Sequence, residues 1–204
     1  MKPALLLLVA VTSFSAHGAV ESKLLAVGAW SEPFGYREVG KHGCSIRGRL
    51  LVCEGYSSAY TGQTPGTQVY LELHNVSSGV GSPIELYCDV RDGLHCELLD
   101  GQGQPAPTPP SFNGGFPEAC WITLPYDATV RLRASWYGHV TQAGSGLRVP
   151  VYHELAVPAG ATNDYFLSGT FTVAPPTNHV FSPGHEIWRG KLVLPRFQVP
   201  TRKP

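Results

Sequence analysis

The stretch "CDVRDGLHC", Cys88 to Cys96, sets two thiols on either side of an Asp-Gly pair, with His95 beside the second thiol. These residue types admit three chemistries: a metal site, a reactive dithiol, or a hairpin with sulfur in its core. A structural zinc site needs four convergent ligands, usually two close pairs such as C-x2-C with a second pair beyond. The spacing here is different, and on an extended chain His95 points away from the face that carries Cys96. A reactive dithiol is usually C-x-x-C in a helical setting, and the chain has no such motif. The hairpin remains. With Arg91-Asp92-Gly93 as its loop, Gly93 supplies the positive φ. Ile84, Leu86 and Cys88 then share one face, as do Leu94, Cys96 and Leu98. Cys88 and Cys96 oppose each other with both sulfurs inward, as a disulfide candidate or as packed hydrophobes. No metal site and no cofactor is expected.

The other cysteines are Cys44, Cys53 and Cys120, and an odd total leaves at least one thiol without a partner in the chain. Cys44 and Cys53 cannot bond to each other on one straight strand, because nine steps of about 3.3 Å part them by roughly 30 Å.

Further motifs fail on chemical detail. Gly35 to Lys41 imitates a phosphate loop, but His42 stands where a magnesium-binding hydroxyl belongs. His185-Glu186 imitates a zinc-protease helix, but Arg189 occupies the second histidine's place. His179 and His185 are read as polar turn residues. There is no G-x-S-x-G elbow for a nucleophilic serine, and sequence cannot pair the sparse acids as a glycosidase requires. Asn75-Val-Ser77 matches a glycosylation acceptor and is read as a turn.

The aromatics give the binding argument. Phe112, Phe116 and Trp121 sit in or beside the long segment 101–119, and Trp136-Tyr137 end a strand at another loop. They either cap the open end of the core or form a platform for a sugar ring or a peptide.

The elements that must position these residues are strands. In Thr67 to Asn75, Val69, Leu71 and Leu73 alternate with Tyr70, Glu72 and His74. The same period-2 pattern recurs at Ile46 to Val52, Ala128 to Trp136, Phe166 to Val173 and Trp188 to Leu194. Strands are expected near 24–30, 44–54, 67–75, 83–89, 94–100, 120–124, 128–136, 151–157, 164–173 and 186–194. Gly/Pro-rich turns separate them, and no stretch holds a helical apolar period. The pattern predicts an all-β fold: a single antiparallel β-sandwich of about 9–10 strands with long loops.

Hydrophobic residues make up 43% of the chain and charged residues 15%, with zero formal net charge. Such a balance supplies a core and speaks against a nucleic-acid footprint. Lys2, the apolar run Leu5 to Val11 and Ala16-His-Gly18 read as a signal peptide over 1–18. One domain, 19–204, is expected to follow, secreted or periplasmic, with no membrane span after signal cleavage.

The phrases "AVGAWSEP", "RGRLLVCE", "VYLELHNVSS", "IELYCDV", "GLHCELLD", "WITLPYDATVRLRAS", "DYFLSGTFTV" and "WRGKLVLP" together resemble secreted bacterial immunoglobulin-like β-sandwich proteins with no assigned activity. The resemblance spans nearly all of 19–204. It implies fold and export and assigns no catalytic residue. More remotely, the plan is similar to small immunoglobulin-like proteinase-inhibitor domains, which work through a loop. The expected function is a non-catalytic binding or structural module at the cell envelope, with an envelope protein or glycan as partner. Two alternatives stand beside it: proteinase inhibition through loop 101–119, and a hydrolase whose residues converge only in three dimensions.

Overall fold

Alternating apolar residues cannot all be covered on a helix, but on a strand they share one face, and that face drives the architecture. The computed structural model describes residues 23–36, 44–57, 64–77, 83–105, 119–134, 148–150, 154–156, 164–176 and 186–199. The expected signal segment 1–18 lies outside the described residues.

In chain order the elements are β1 (Leu24–Val27), β2 (Phe34–Tyr36), β3 (Cys44–Ser57), β4 (Thr64–Asn75), β5 (Ile84–Cys88), the helical turn α1 (Val90–Gly93) and β6 (Leu94–Asp100). There follow β7 (Cys120–Leu124), β8 (Thr129–Arg133), β9 (Arg148–Pro150), β10 (Glu154–Ala156), β11 (Tyr165–Val173), β12 (Glu186–Ile187) and β13 (Gly190–Val199). The described chain is therefore all-β apart from one four-residue turn of helix.

One sheet has five strands, ordered β1-β3-β4-β8 with β2 also on β3, all antiparallel. A three-stranded antiparallel sheet runs β13-β11-β6. Another runs β12-β5-β7, in which β12 joins β5 in parallel while β5 and β7 are antiparallel. β9 and β10 form a small antiparallel pair. The parallel β12 corrects the expectation of antiparallel pairing throughout. The expected strand at 186–194 divides at Trp188-Arg189: β12 lies beside β5, whereas β13 pairs with β11.

One buried cluster draws on the five-stranded sheet and on both three-stranded sheets. Ile46, Leu50, Val52, Val69, Leu71 and Leu73 meet Ile84, Leu86, Leu98, Leu167, Phe171, Trp188, Leu192 and Leu194 there. Each such side chain, fully buried, contributes about 1.5–3 kcal/mol. Close approach is built in at Gly48, where an added Cβ would lie 3.0 Å from methyls of both Leu192 and Leu194. Buried polar groups tie the layers together. Trp188, fully buried, donates its indole N–H to the Phe34 carbonyl at 2.8 Å. Buried Asn75 donates through Nδ2 to the Leu124 carbonyl and accepts at Oδ1 from the Ser77 backbone and hydroxyl. The acceptor-like Asn75-Val-Ser77 is thus a turn whose amide is fully engaged, joining the end of β4 to the end of β7.

The Cys88–Cys96 hairpin does not form. β5 pairs with β7 and β6 pairs with β11, so the two cysteines lie in different sheets. The cause is local. The Asp89 side chain accepts from the Asp92 N–H at 3.1 Å, and the Gly93 N–H donates to the Asp89 carbonyl at 2.9 Å. That closes a capped helical turn instead of a tight hairpin loop. Gly93 is not among the described glycines at positive φ. It is required by packing, since a Cβ there would come within 2.5 Å of the Thr172 carbonyl on β11. The structure holds Cys88, Cys96 and Cys120 as thiols, with no Cys88–Cys96 disulfide. Cys44 and Cys53 lie on the one strand β3, which holds them apart.

Candidate functional site

Side chains that alternate away from the core form two polar faces. On the five-stranded sheet, Arg47 and Arg49 of β3 stand opposite His74 and Glu72 of β4, with Arg131 and Arg133 of β8 in the next row. Trp30 lies against this row, its ring 4.8 Å from the Arg47 guanidinium, 4.2 Å from that of Arg49 and 5.6 Å from His74. Arg47 donates to Nδ1 of His74 through Nε at 3.2 Å. Nε2 of His74 is 2.8 Å from the Asp127 carboxylate. With Nδ1 accepting from Arg47, a proton on Nε2 points at Asp127. Both ring nitrogens are therefore engaged, and neither is left to act as a general base on a substrate. Glu72, with only 7% of its side chain exposed, takes Arg49 at 2.6 Å and Arg131 at 3.0 Å. Four arginines against two acids leave this face basic, but its charges are mutually committed and its stacks are stiff.

The second face belongs to the β13-β11-β6 sheet. Tyr165 and Leu167 of β11 are buried, so Phe166 between them points outward. The Arg196 guanidinium of β13 stacks on its ring at 4.1 Å and donates through Nη2 to the Asp100 carbonyl at 3.0 Å. Beside them Gln198 donates through Nε2 to the Asp164 carboxylate at 2.8 Å. The turn after β6 closes the end of this face. Oδ1 of Asp100 accepts from the backbone N–H groups of Gln102 and Gln104 at 2.9 and 2.8 Å, and Gly103 sits at φ 80°. Together Gly101, Gln102, Asp164, Phe166, Arg196, Phe197 and Gln198 line an open groove of about 830 Å³. The groove offers a flat aromatic–guanidinium surface rimmed by amide and carboxylate groups that can trade hydrogen bonds with hydroxyls.

Of the aromatics expected from sequence, Trp121 lies on β7 and packs its ring on Tyr87 of β5 at 5.3 Å. This pair is remote in topology from the groove. Phe112, Phe116, Trp136 and Tyr137 lie outside the described residues. So do His42, His139, His153, His179 and His185; His95 is exposed on β6, on the opposite parity from Cys96. Among the described residues no three His, Cys, Asp or Glu side chains converge as a metal-ligand group. The groove residues lie on β13, on or just before β11 and in the turn after β6, and none is among the expected aromatics. The available signal was Phe166, a large aromatic at an outward position of an alternating strand.

No family model matches the chain, and no curated protein or solved structure is significantly similar to it.

Proposed function

We propose that this chain is a non-catalytic binding module, an immunoglobulin-like β-sandwich secreted or periplasmic at the cell envelope, which holds a glycan in the Phe166 groove. The observation that carries the reading is the outward Phe166 ring stacked with Arg196 beside Asp164, Gln198 and Gln102. The apolar C–H face of a sugar ring covers aromatic surface that otherwise faces water, while its hydroxyls meet the polar rim. The sandwich reading rests on one cluster fed by the five-stranded and both three-stranded sheets. Export rests on the charge and apolar pattern of residues 1–18. A hydrolase reading draws no support from His74, whose two nitrogens are engaged.

Retention of the full chain on immobilised envelope polysaccharides tests this. Wild type is expected to be retained, and Phe166→Ala to bind about tenfold more weakly, the equivalent of one lost stacking contact. Equal retention of the two proteins, or none of the wild type, defeats the proposal. A second reading, proteinase inhibition through loop 101–119, draws on the Asp100 hydrogen bonds that fix the base of that loop. It requires that excising the loop abolish inhibition of a secreted protease.

A further inference from the structure

The ladder between β5 and β7 pairs Ile84 with Leu124, Leu86 with Ile122 and Cys88 with Cys120. Residues directly opposite on antiparallel strands project to the same face, with Cα atoms about 4.5–5.5 Å apart. A disulfide needs Cα atoms about 4.4–6.8 Å apart. Cys88 and Cys120 therefore meet the backbone requirement, whereas Cys88 and Cys96 lie in different sheets.

The two thiols differ in access. Cys88 is buried and Cys120 is exposed. Burial pushes the Cys88 thiol up to about 12, and the neighbouring Cys120 adds to the rise. Cys120 is raised as well, by burial alone. An oxidant in solution reaches Cys120 first, and the inner thiol is placed to resolve the adduct.

We propose that Cys88 and Cys120 are a redox modification site, converted to an intrachain disulfide by a small-molecule disulfide or a dithiol-disulfide oxidoreductase. The Cys120 thiolate attacks a sulfur of the oxidant, forming a mixed disulfide and releasing one reduced thiol. The Cys88 sulfur, after losing its proton to solvent, attacks the Cys120 sulfur and expels the second thiol. Two protein thiols lose two electrons and two protons, and the oxidant's S–S bond becomes two thiols. Once an adduct occupies Cys120, its charge no longer acts on Cys88. Burial still does, so the resolving step is limited by deprotonation and accelerates with pH. The product closes a loop containing all of β6 and the segment 101–119, and ties the start of β7 to the end of β5.

The test treats the reduced full chain with oxidised glutathione. The denatured thiol count is expected to fall from five to three, and peptide mapping to join the Cys88 and Cys120 peptides. Closing this loop is expected to raise the melting temperature by about 5–10 °C. Resolution of the glutathione adduct is expected to quicken about tenfold per pH unit between about pH 7 and 9. Cys120→Ser, at an exposed position, loses both the link and the thermal shift; Cys96→Ser keeps both. An unchanged thiol count overturns the proposal. So does a Cys88–Cys96 link, glutathione retained on Cys120, or dimers joined through Cys120.

Discussion

Cys88 and Cys96 are close in sequence but packed in different sheets, and burial acts on each sulfur separately. It pushes both thiols from 9.0 to about 12, with Cys120 adding to the rise at Cys88 and the Glu97 carboxylate adding to it at Cys96. Cys96 has its sulfur tucked over Gly169, where an added Cβ would lie 3.2 Å away. A thiol that resists ionisation when folded keeps its proton while the unfolded chain gives its proton up. The folded state thus binds more protons between these values, and stability falls as pH rises from about 9 towards about 12, being fully present below 9. Chemical denaturation of the reduced protein at stepped alkaline pH measures that slope. Cys96→Ala is expected to make it shallower, and an unchanged slope would show that the Cys96 sulfur is well solvated. Glu72 is held by contacts of another kind: its nearly buried carboxylate is bracketed by the Arg49 and Arg131 guanidiniums. Removing one member of such a set strands the others.

The helical turn between β5 and β6 decides which sheet each strand joins, so its packing is where a small change matters. Gly93→Ala places a methyl carbon within 2.5 Å of the Thr172 carbonyl, and backbone cannot yield as a side chain does. The variant is expected to lose about 1–3 kcal/mol in urea unfolding. A loss below a few tenths would mean that α1 shifts freely from β11. The turn also shows what could be read in advance. The parities of Ile84-Leu86-Cys88 and Leu94-Leu98 are legible as alternation, and both sets are buried. The choice between a hairpin and a capped turn was less so, because Asp-Gly serves either. The discriminating residue was Asp89, an N-cap three positions before Asp92. Parity alone cannot report partners, since a strand presents the same face whichever neighbour it finds.

Across the whole molecule the core faces were readable and the connections were not. Trp188 was placed on the inward face with Leu192 and Leu194, and all three are buried. That the chain changes sheets beside Trp188 has no local signature; it follows from where β5 and β11 already lie. Trp188→Ala removes the largest fully buried side chain and orphans the Phe34 carbonyl that its indole satisfies. The expected loss is about 3–5 kcal/mol, measured by equilibrium unfolding. A loss under about 1 kcal/mol would mean the surrounding residues collapse into the space.

Both the outward Phe166 and the buried Leu167 of β11 are flanked by β6, far earlier in the chain, and by β13, which follows. A chain emerging from its N-terminus can zip β3 onto β4 early, since these are neighbours in sequence. It cannot seat β11 on both sides until β13 has followed it. Leu192 and Leu194, which cover Gly48, come long after β3 in the chain. Until β13 arrives, the Gly48 stretch of β3 lacks the two leucines that close over it.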